Sequence, residues 1–214
     1  MTNLQLMYHH FIKLLALFLI LASCGHQEKA KVQDEKFQKD GNQILLEVSR
    51  MIAADQDART FRIYGTTDSV EIEKMYSQFA KQGLALDSVL MSTDTSFIPP
   101  QQEDSIQTVI DELQTKHTRR LIEILKEYGY PKSSRLTRPR LQNVDPFIVF
   151  HHPDISYKSE LTALLKTELL AGRIDSNTYE TIMWDLNERK GVPNIKGVTF
   201  VVHNKDGTVD TIKN

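Results

Sequence analysis

The sequence predicts a mainly α fold, a single helical domain of about five to six helices with a short C-terminal β-hairpin. Apolar residues recur at steps of three and four positions through most of the chain, which is the period of one helix face, and glycine or proline closes several of these stretches. Only residues 198–212 contain β-rich runs. A length of 214 residues, with 40% hydrophobic and 25% charged residues, suits one globular core.

The N-terminus predicts a cleaved leader. The apolar run 14–22 is far shorter than the ~20 residues that a membrane-spanning helix needs. It leads into a segment that resembles the lipobox of bacterial lipoproteins, with an aliphatic residue, two small residues and a cysteine: Leu21, Ala22, Ser23 and Cys24. The resemblance implies a signal peptide over 1–23 and a diacylglyceryl group on Cys24, so palmitate is expected to be attached covalently to the protein.

This lipoprotein prediction makes membrane lipid, held through Cys24, the first expected partner, and it places the protein in the cell envelope. The Gln27-Glu28 pair resembles acidic surface-export signals of some outer-membrane lipoproteins, so the outer membrane is favoured over the inner one. A formal net charge of -2 provides no basic field for nucleic acid. The single cysteine excludes an internal disulfide and a multi-cysteine metal site.

Residues 24–40 are predicted to be the lipidated cysteine and a flexible tether, because 25–40 is polar and charged with no apolar period before Phe37. The helical domain with its hairpin is predicted over 41–214. Its first helix runs to about Thr60, and its apolar face is formed by Ile44, Leu45, Val48, Met51 and Ile52.

The middle of the chain predicts a short helix, a loop and a long helix. Asp68 begins the short helix and Gly83 stops it. The stretch 84–102 has paired prolines and no sustained period, which is typical of a loop. From Glu103 an apolar stripe at helical spacing continues until Gly129, where the long helix is expected to end.

Asp145-Pro146 is expected to start a helix whose body, 147–150, is apolar on every side. This pattern predicts the buried central helix of the domain, which ends at His151, His152 and Pro153.

Two further helices follow. Ser156 is expected to cap the first, which Gly172 ends; Asp175 or Ser176 begins the last, which continues to Gly191. Between the β-rich runs 198–202 and 208–212, a spacer with the pair Asp206-Gly207 predicts the hairpin.

Several motifs together resemble a family of bacterial domains of uncharacterised function, over roughly residues 45 to 210. The family's Asp-Gln-x-x-Arg matches Asp55, Gln56 and Arg59, and its Arg-Leu followed by Tyr/His-Gly-Trp/Tyr-Pro matches Arg120, Leu121 and the segment 128–131.

Three later motifs match with changes. The family has an apolar run that ends in Gln-His, and here His151 replaces the glutamine before His152. The family's Asp-Arg pair corresponds to Asp185 and Arg189 at a different spacing. His117 stands where the family usually has an asparagine. The family's closing Gln-x-Tyr-Gly-Thr is reduced to Asn194 and Gly197. The resemblance implies a shared fold and candidate positions, and no reaction.

Asp55 and Arg59 lie four residues apart, so their side chains are neighbours on a helix. The simpler interpretation is a surface ion pair. The alternative is that the pair and Gln56 line a polar cleft, where an arginine held by a carboxylate is oriented to bind a carboxylate or phosphate ligand.

His151 and His152 are adjacent, so on a helix they point about 100° apart, with one expected to be buried and the other at the rim. A structural histidine at a helix end is the favoured interpretation of His152. A general base would need a carboxylate partner such as Asp154 or Asp185. His117 falls on the apolar stripe of the long helix and is expected at the core or its edge.

The remaining candidate residues are two tyrosines, for which a packing role is expected first. Tyr128 and Tyr130 flank the glycine that ends the long helix and are expected to pack the turn, with an aromatic wall for a ligand as the second interpretation. No metal-ligand spacing, nucleophile elbow or phosphate loop is present in the sequence, so no metal and no cofactor are predicted.

These observations favour a binding or interaction module whose partner is another envelope protein or a small ligand. The alternative is a hydrolase-like enzyme that uses His152 with Asp55 or Asp185. Convergence of His152, Asp55 and Arg59 in a concave pocket would favour the enzyme or the small-ligand hypothesis over an interaction module.

Overall fold

The structure is a computed structural model that describes the backbone of residues 3–81, 100–203 and 209–213 and most side chains between 28 and 199. It is mainly α-helical, as the periodicity predicted. The helices are α1 Asn3–Tyr64, α2 Ser69–Lys81, α3 Pro100–Tyr128, α4 Phe147–Phe150, α5 Lys158–Leu170 and α6 Ser176–Leu186. Single 3-10 turns cover Ser133–Arg135 and Ile155–Tyr157.

The core lies between α1 and α3, which run antiparallel: Gln33 on α1 bonds to the backbone near residue 125, whereas Glu47, further along α1, pairs with Arg120. The predicted apolar face of α1 is buried in this interface, with Leu45 and Val48 fully covered. Leu121, Ile124 and Leu125 oppose it from α3, and α5 and α6 close the core with Leu161, Leu165, Ile182 and Leu186.

The predicted flexible tether over 24–40 is corrected by the fold. The helix α1 is continuous through this segment, and Gln33 and Phe37 are buried in it. The amide of Gln33 donates to the carbonyl oxygens of Leu125 and Lys126 in the last turn of α3, and the carbonyl of Leu125 also accepts from the N–H of Gly129. The folded domain therefore begins before residue 41, because these two side chains find distant partners that a charge-rich composition does not reveal.

The predicted central helix, α4, is a single turn and not the centre of the domain. Val149 and Phe150 are buried, but Ile148 is 38% exposed and Phe147 is only partly covered. The turn packs against α1, α3 and α6 through the side that carries Val149 and Phe150, and its opposite side, with Ile148, stays open. Phe150 stacks on Tyr130 with ring centroids 5.8 Å apart, which ties α4 to the end of α3.

The long helix α3 ends at the predicted position, and a buried ion pair explains why a glycine follows it. Gly129 has a φ of +71°, and a Cβ placed there would lie 2.7 Å from the guanidinium of Arg173. Arg173 pairs with Glu168 at 2.6 Å, and Glu168 also accepts from the backbone N–H of Tyr130 at 2.7 Å. The backbone end of α3 is therefore held by an ion pair at the end of α5.

The caps of the last two helices agree with the prediction at one position and differ at another. Ser156 does not cap α5: it lies in the 3-10 turn Ile155–Tyr157, which Asp154 caps by accepting from the N–H and the hydroxyl of Ser156, and α5 follows directly after Tyr157 with no side-chain cap. Asp175 caps α6 by accepting from the N–H of Thr178, as expected. α5 ends just before Gly172, whereas α6 stops at Leu186, short of Gly191.

The remaining segments complete the path of the chain. α3 begins at Pro100, inside the stretch predicted as a loop; 82–99 lies outside the described residues. Strands β1 Thr199–His203 and β2 Val209–Lys213 pair antiparallel, and the residues 204–208 of the predicted turn are not described, so the hairpin stays a prediction. Within the described part of the chain, no helix is both long enough and apolar enough to cross a membrane.

Candidate functional site

A cluster of ionisable side chains forms where the end of the α4 turn meets α1 and α6. We call it the histidine–arginine cluster. Its members come from these three elements and the turn that follows α6: Asp55, Arg59, His151, His152, Asp185 and Arg189. Asp55 and Arg59 follow the apolar face of α1 along the chain. His151 and His152 follow the α4 turn, which packs against α1, so the four side chains lie in the same part of the fold.

Asp55 and Arg59 form a partly buried pair rather than a surface pair. Both oxygens of Asp55 accept from Arg59, with Nε–Oδ2 and Nη2–Oδ1 distances of 3.0 Å. The Asp55 side chain is 5% exposed and that of Arg59 is 21% exposed. Gln56 adds a 3.3 Å bond from its amide to Oδ2 of Asp55. The carboxylate is thus fully used in holding the guanidinium, which is the arrangement of an oriented arginine.

His151, and not His152, is the histidine that pairs with Asp185. Nδ1 of His151 lies 2.6 Å from Oδ2 of Asp185, and Nε of Arg189 donates to Oδ1 of the same carboxylate at 2.9 Å. Nη2 of Arg189 is 3.1 Å from Nε2 of His151. Nε2 therefore accepts from Arg189, whereas Nδ1 faces Oδ2 of Asp185 at contact distance without the alignment of a hydrogen bond.

Arg189 reaches Asp185 through an uncommon backbone conformation. Glu188 and Arg189 both adopt left-handed φ values, 55° and 57°, directly after the end of α6. The N–H of Glu188 then bonds to the carbonyl of Asp185 and the N–H of Arg189 to that of Trp184, which closes the helix end. Glycine is the usual residue in this conformation, and a bulky residue there is strained. Strain of this kind concentrates at functional sites.

His152 is uncharged over the physiological pH range. Burial, followed by the positive charge of Arg59, lowers its pKa to about 4, although the carboxylate of Asp55 opposes the shift. No hydrogen bond to its ring is formed within the described part of the chain, and its ring lies 5.0 Å from that of His151 in an edge-on arrangement. The two adjacent histidines therefore face one region, in contrast to the predicted division between a buried and a rim residue.

A groove lies between α1 and α3, and His117 is one of the residues that line it. It has a volume of about 950 Å³, and its apolar lining includes Met51, Ala54 and Leu113. His117 is 6% exposed, and its Nδ1 has no hydrogen-bond partner among the described residues. Burial lowers the pKa of His117, and the charge of Asp55 opposes this shift. The charge of Asp55 thus acts on His117 in the groove as well as on His152 in the cluster.

Three predicted candidates lie elsewhere. Tyr130 is fully buried, and its hydroxyl donates to Asp145 at 2.7 Å, so it cannot form the wall of an open pocket. Tyr128 is half-buried against the core and contributes to packing. Asp154 accepts from Thr115 and Ser156, so it is a cap and not the partner of a histidine.

Two features of the cluster were not predicted from the sequence. One is the pairing of His151 with Asp185, because the sequence analysis named His152 as the histidine that would use this carboxylate. The other is the left-handed backbone at Arg189, which brings its side chain to Asp185. Across the described residues, no group of three or more histidine, cysteine, aspartate or glutamate side chains is arranged to hold a metal ion.

Comparison with known proteins gives no match: no protein-family model, curated protein or solved structure corresponds to this chain.

Proposed function

We propose that this protein is a membrane-tethered envelope lipoprotein whose helical domain binds a small ligand at the histidine–arginine cluster. Cys24 is the proposed lipid attachment, and the outer membrane is the favoured location, on the lipobox-like residues and the Gln27-Glu28 pair. The C-terminal strands, joined through Asp206-Gly207, are proposed to complete the fold as a short hairpin.

The observation that carries the binding proposal is the convergence of separate sequence motifs. The Asp-Gln-x-x-Arg segment, the histidine pair and the Asp-Arg pair of the last helix are far apart in the chain, and their ionisable side chains meet in the cluster. Core packing does not require two buried carboxylates held by two arginines beside an uncharged histidine. Ionisable groups with perturbed pKa values that gather in one place are a recurring feature of binding and active sites.

The cluster favours ligand binding over the hydrolase alternative. A histidine 2.6 Å from a buried carboxylate, as in His151–Asp185, is the usual arrangement of a general base. Here Nε2 of that histidine, which would take the proton, accepts from Arg189. His152 has free ring nitrogens, but a pKa of about 4 makes it a weak base at neutral pH. The cluster thus presents hydrogen-bond donors more readily than a base.

The binding proposal is tested by a thermal-shift screen of the purified protein against a mixed set of anionic, cationic and neutral small molecules. We expect at least one compound that raises the melting temperature of the wild type and fails to do so in Arg59→Gln. Arg62→Gln, a change of the same kind on the same helix and outside the cluster, is the matched control and should respond like the wild type. The proposal fails if no compound depends on Arg59.

The lipid anchor is tested separately. Radiolabelled palmitate should enter the wild-type protein and not Cys24→Ser, and protease treatment of intact cells should show whether the domain is on the outer surface. Equal labelling of both proteins would refute the lipoprotein assignment without affecting the cluster.

A further inference from the structure

The solvent-facing side of the histidine–arginine cluster is positive, although its formal charges balance. The two carboxylates lie beneath: the side chains of Asp55 and Asp185 are 5% and 2% exposed. The arginines lie above them, with Arg59 21% and Arg189 49% exposed. A ligand that approaches from solvent therefore meets N–H donors first. Both oxygens of Asp55 and Oδ1 of Asp185 already accept from those arginines, and Oδ2 of Asp185 faces His151.

Each arginine keeps one nitrogen for a ligand. Arg59 uses Nε and Nη2 on Asp55, and Arg189 uses Nε on Asp185 and Nη2 on His151. Nη1 of both residues forms no hydrogen bond within the described part of the chain. His152 lies beside His151, whose Nε2 contacts Arg189, and the turn that carries both histidines packs against α1, the helix of Arg59. The positive charges of both arginines act on His152. The buried carboxylates orient these donors before any ligand arrives, which reduces the entropy cost of binding.

We propose that the histidine–arginine cluster binds an oxyanion, a carboxylate or phosphate group, through Nη1 of Arg59, Nη1 of Arg189 and the ring of His152. The inference rests on the proposed function and specifies the chemical class of its ligand. Guanidinium groups bind these anions through charge-assisted hydrogen bonds, and a planar fork held by a carboxylate suits them. The strained backbone at Arg189 is consistent with this role, because it places a cation over Asp185 that a glycine would not supply.

The molecule contains its own reporter for this site. Trp184 is the one tryptophan in the sequence, and the guanidinium of Arg189 lies 5.7 Å from its ring centroid. This is within the distance at which a cation interacts with the ring face. An anion that binds Arg189 alters this contact and should change the tryptophan fluorescence.

The test is a fluorescence titration of the purified protein at constant ionic strength, with acetate, inorganic phosphate, and vesicles of phosphatidylglycerol in phosphatidylcholine as separate probes. We expect a saturable change with at least one probe. A response to acetate assigns a carboxylate, a response to phosphate assigns a soluble phosphate group, and a response to vesicles alone assigns a lipid phosphate. No response to any probe would overturn the inference.

Two variants and a control establish the location. Arg59→Gln leaves the Trp184–Arg189 pair in place and should weaken binding of the responding anion by about tenfold or more. Arg189→Gly suits the left-handed backbone, so it should remain folded and lose binding as measured by calorimetry. Arg62→Gln should bind like the wild type. Equal affinity in all four proteins would mean a non-specific salt effect and would contradict the inference.

The two proposals fail in different ways. If the thermal-shift screen finds Arg59-dependent ligands that are neutral or cationic while no anion changes the fluorescence, the cluster is a binding site of another chemical class. If neither experiment finds an Arg59-dependent ligand, the binding function itself is wrong.

Discussion

Replacement of Phe37 by alanine tests whether the folded domain includes the segment that its composition assigns to a tether. Phe37 is fully buried in α1, and the guanidinium of Arg135 lies 4.4 Å from its ring centroid. Removing a buried phenylalanine ring costs about 3 to 5 kcal/mol through lost burial and the cavity left behind. The lost cation–ring contact adds about 0.5 to 1 kcal/mol. The sum is a large part of the roughly 5 to 15 kcal/mol by which a typical domain is stable.

The assay is urea denaturation of the purified protein, followed by circular dichroism and by Trp184 fluorescence. Phe61→Ala is the matched control, because Phe61 lies on the same helix and is 38% exposed, and it should cost less than about 1 kcal/mol. If Phe37→Ala unfolds at the same urea concentration as Phe61→Ala, Phe37 is not part of the core. In that case the correction of the tether boundary is wrong, and so is the packing of α1 before residue 41.

Three further outcomes are expected. Phe150→Ala should lower the free energy of unfolding by about 3 to 5 kcal/mol, and Ile148→Ala should lower it by less than about 1 kcal/mol, as measured by urea denaturation. Equal losses would contradict the one-sided burial of α4. Arg173→Met should lower the free energy of unfolding by about 3 to 5 kcal/mol, because it leaves Glu168 buried without its cation. The double variant Arg173→Met, Glu168→Leu should recover part of this loss. If the single variant is as stable as the wild type, the pair is not buried. The folded-state pKa of His152 lies near 4, below the roughly 6.5 of an unfolded histidine, so its contribution is fully present above about pH 6.5 and is lost as the pH falls toward 4. After a discount for solvent screening, the loss is about 1 to 2 kcal/mol, and His152→Gln should lack this part of the pH dependence in denaturant melts at several pH values.

The two arginine–carboxylate pairs of the cluster differ in how their backbones hold them. Asp55 and Arg59 lie within a regular helix, where residues four apart are neighbours without strain. Asp185 and Arg189 have the same separation, but Arg189 lies past the end of α6 in the left-handed region. The second pair is therefore the more easily opened one, and its release would also free Nε2 of His151. A ligand that draws Arg189 away would thus change the state of the His151–Asp185 pair.

The sequence by itself determined the features that depend on neighbouring residues. The three-and-four spacing identified the core face of α1 and the stripe of α3. Gly129 marked the end of α3, and the pair Asp175-Ser176 marked the start of α6, because periodicity and capping are local properties of the chain. The Asp55–Arg59 pair was expected for the same reason, since four residues bring two side chains together on a helix.

Only the tertiary structure decided what depends on residues far apart in the chain. Gln33 is buried because it bonds to carbonyls more than ninety positions away and to Arg173, and no local pattern indicates this. In the same way, the choice of His151 over His152 as the partner of Asp185 follows from how the α4 turn meets α6. Burial and the pKa of His152 are set by groups from several elements, so they exist only once those elements have packed.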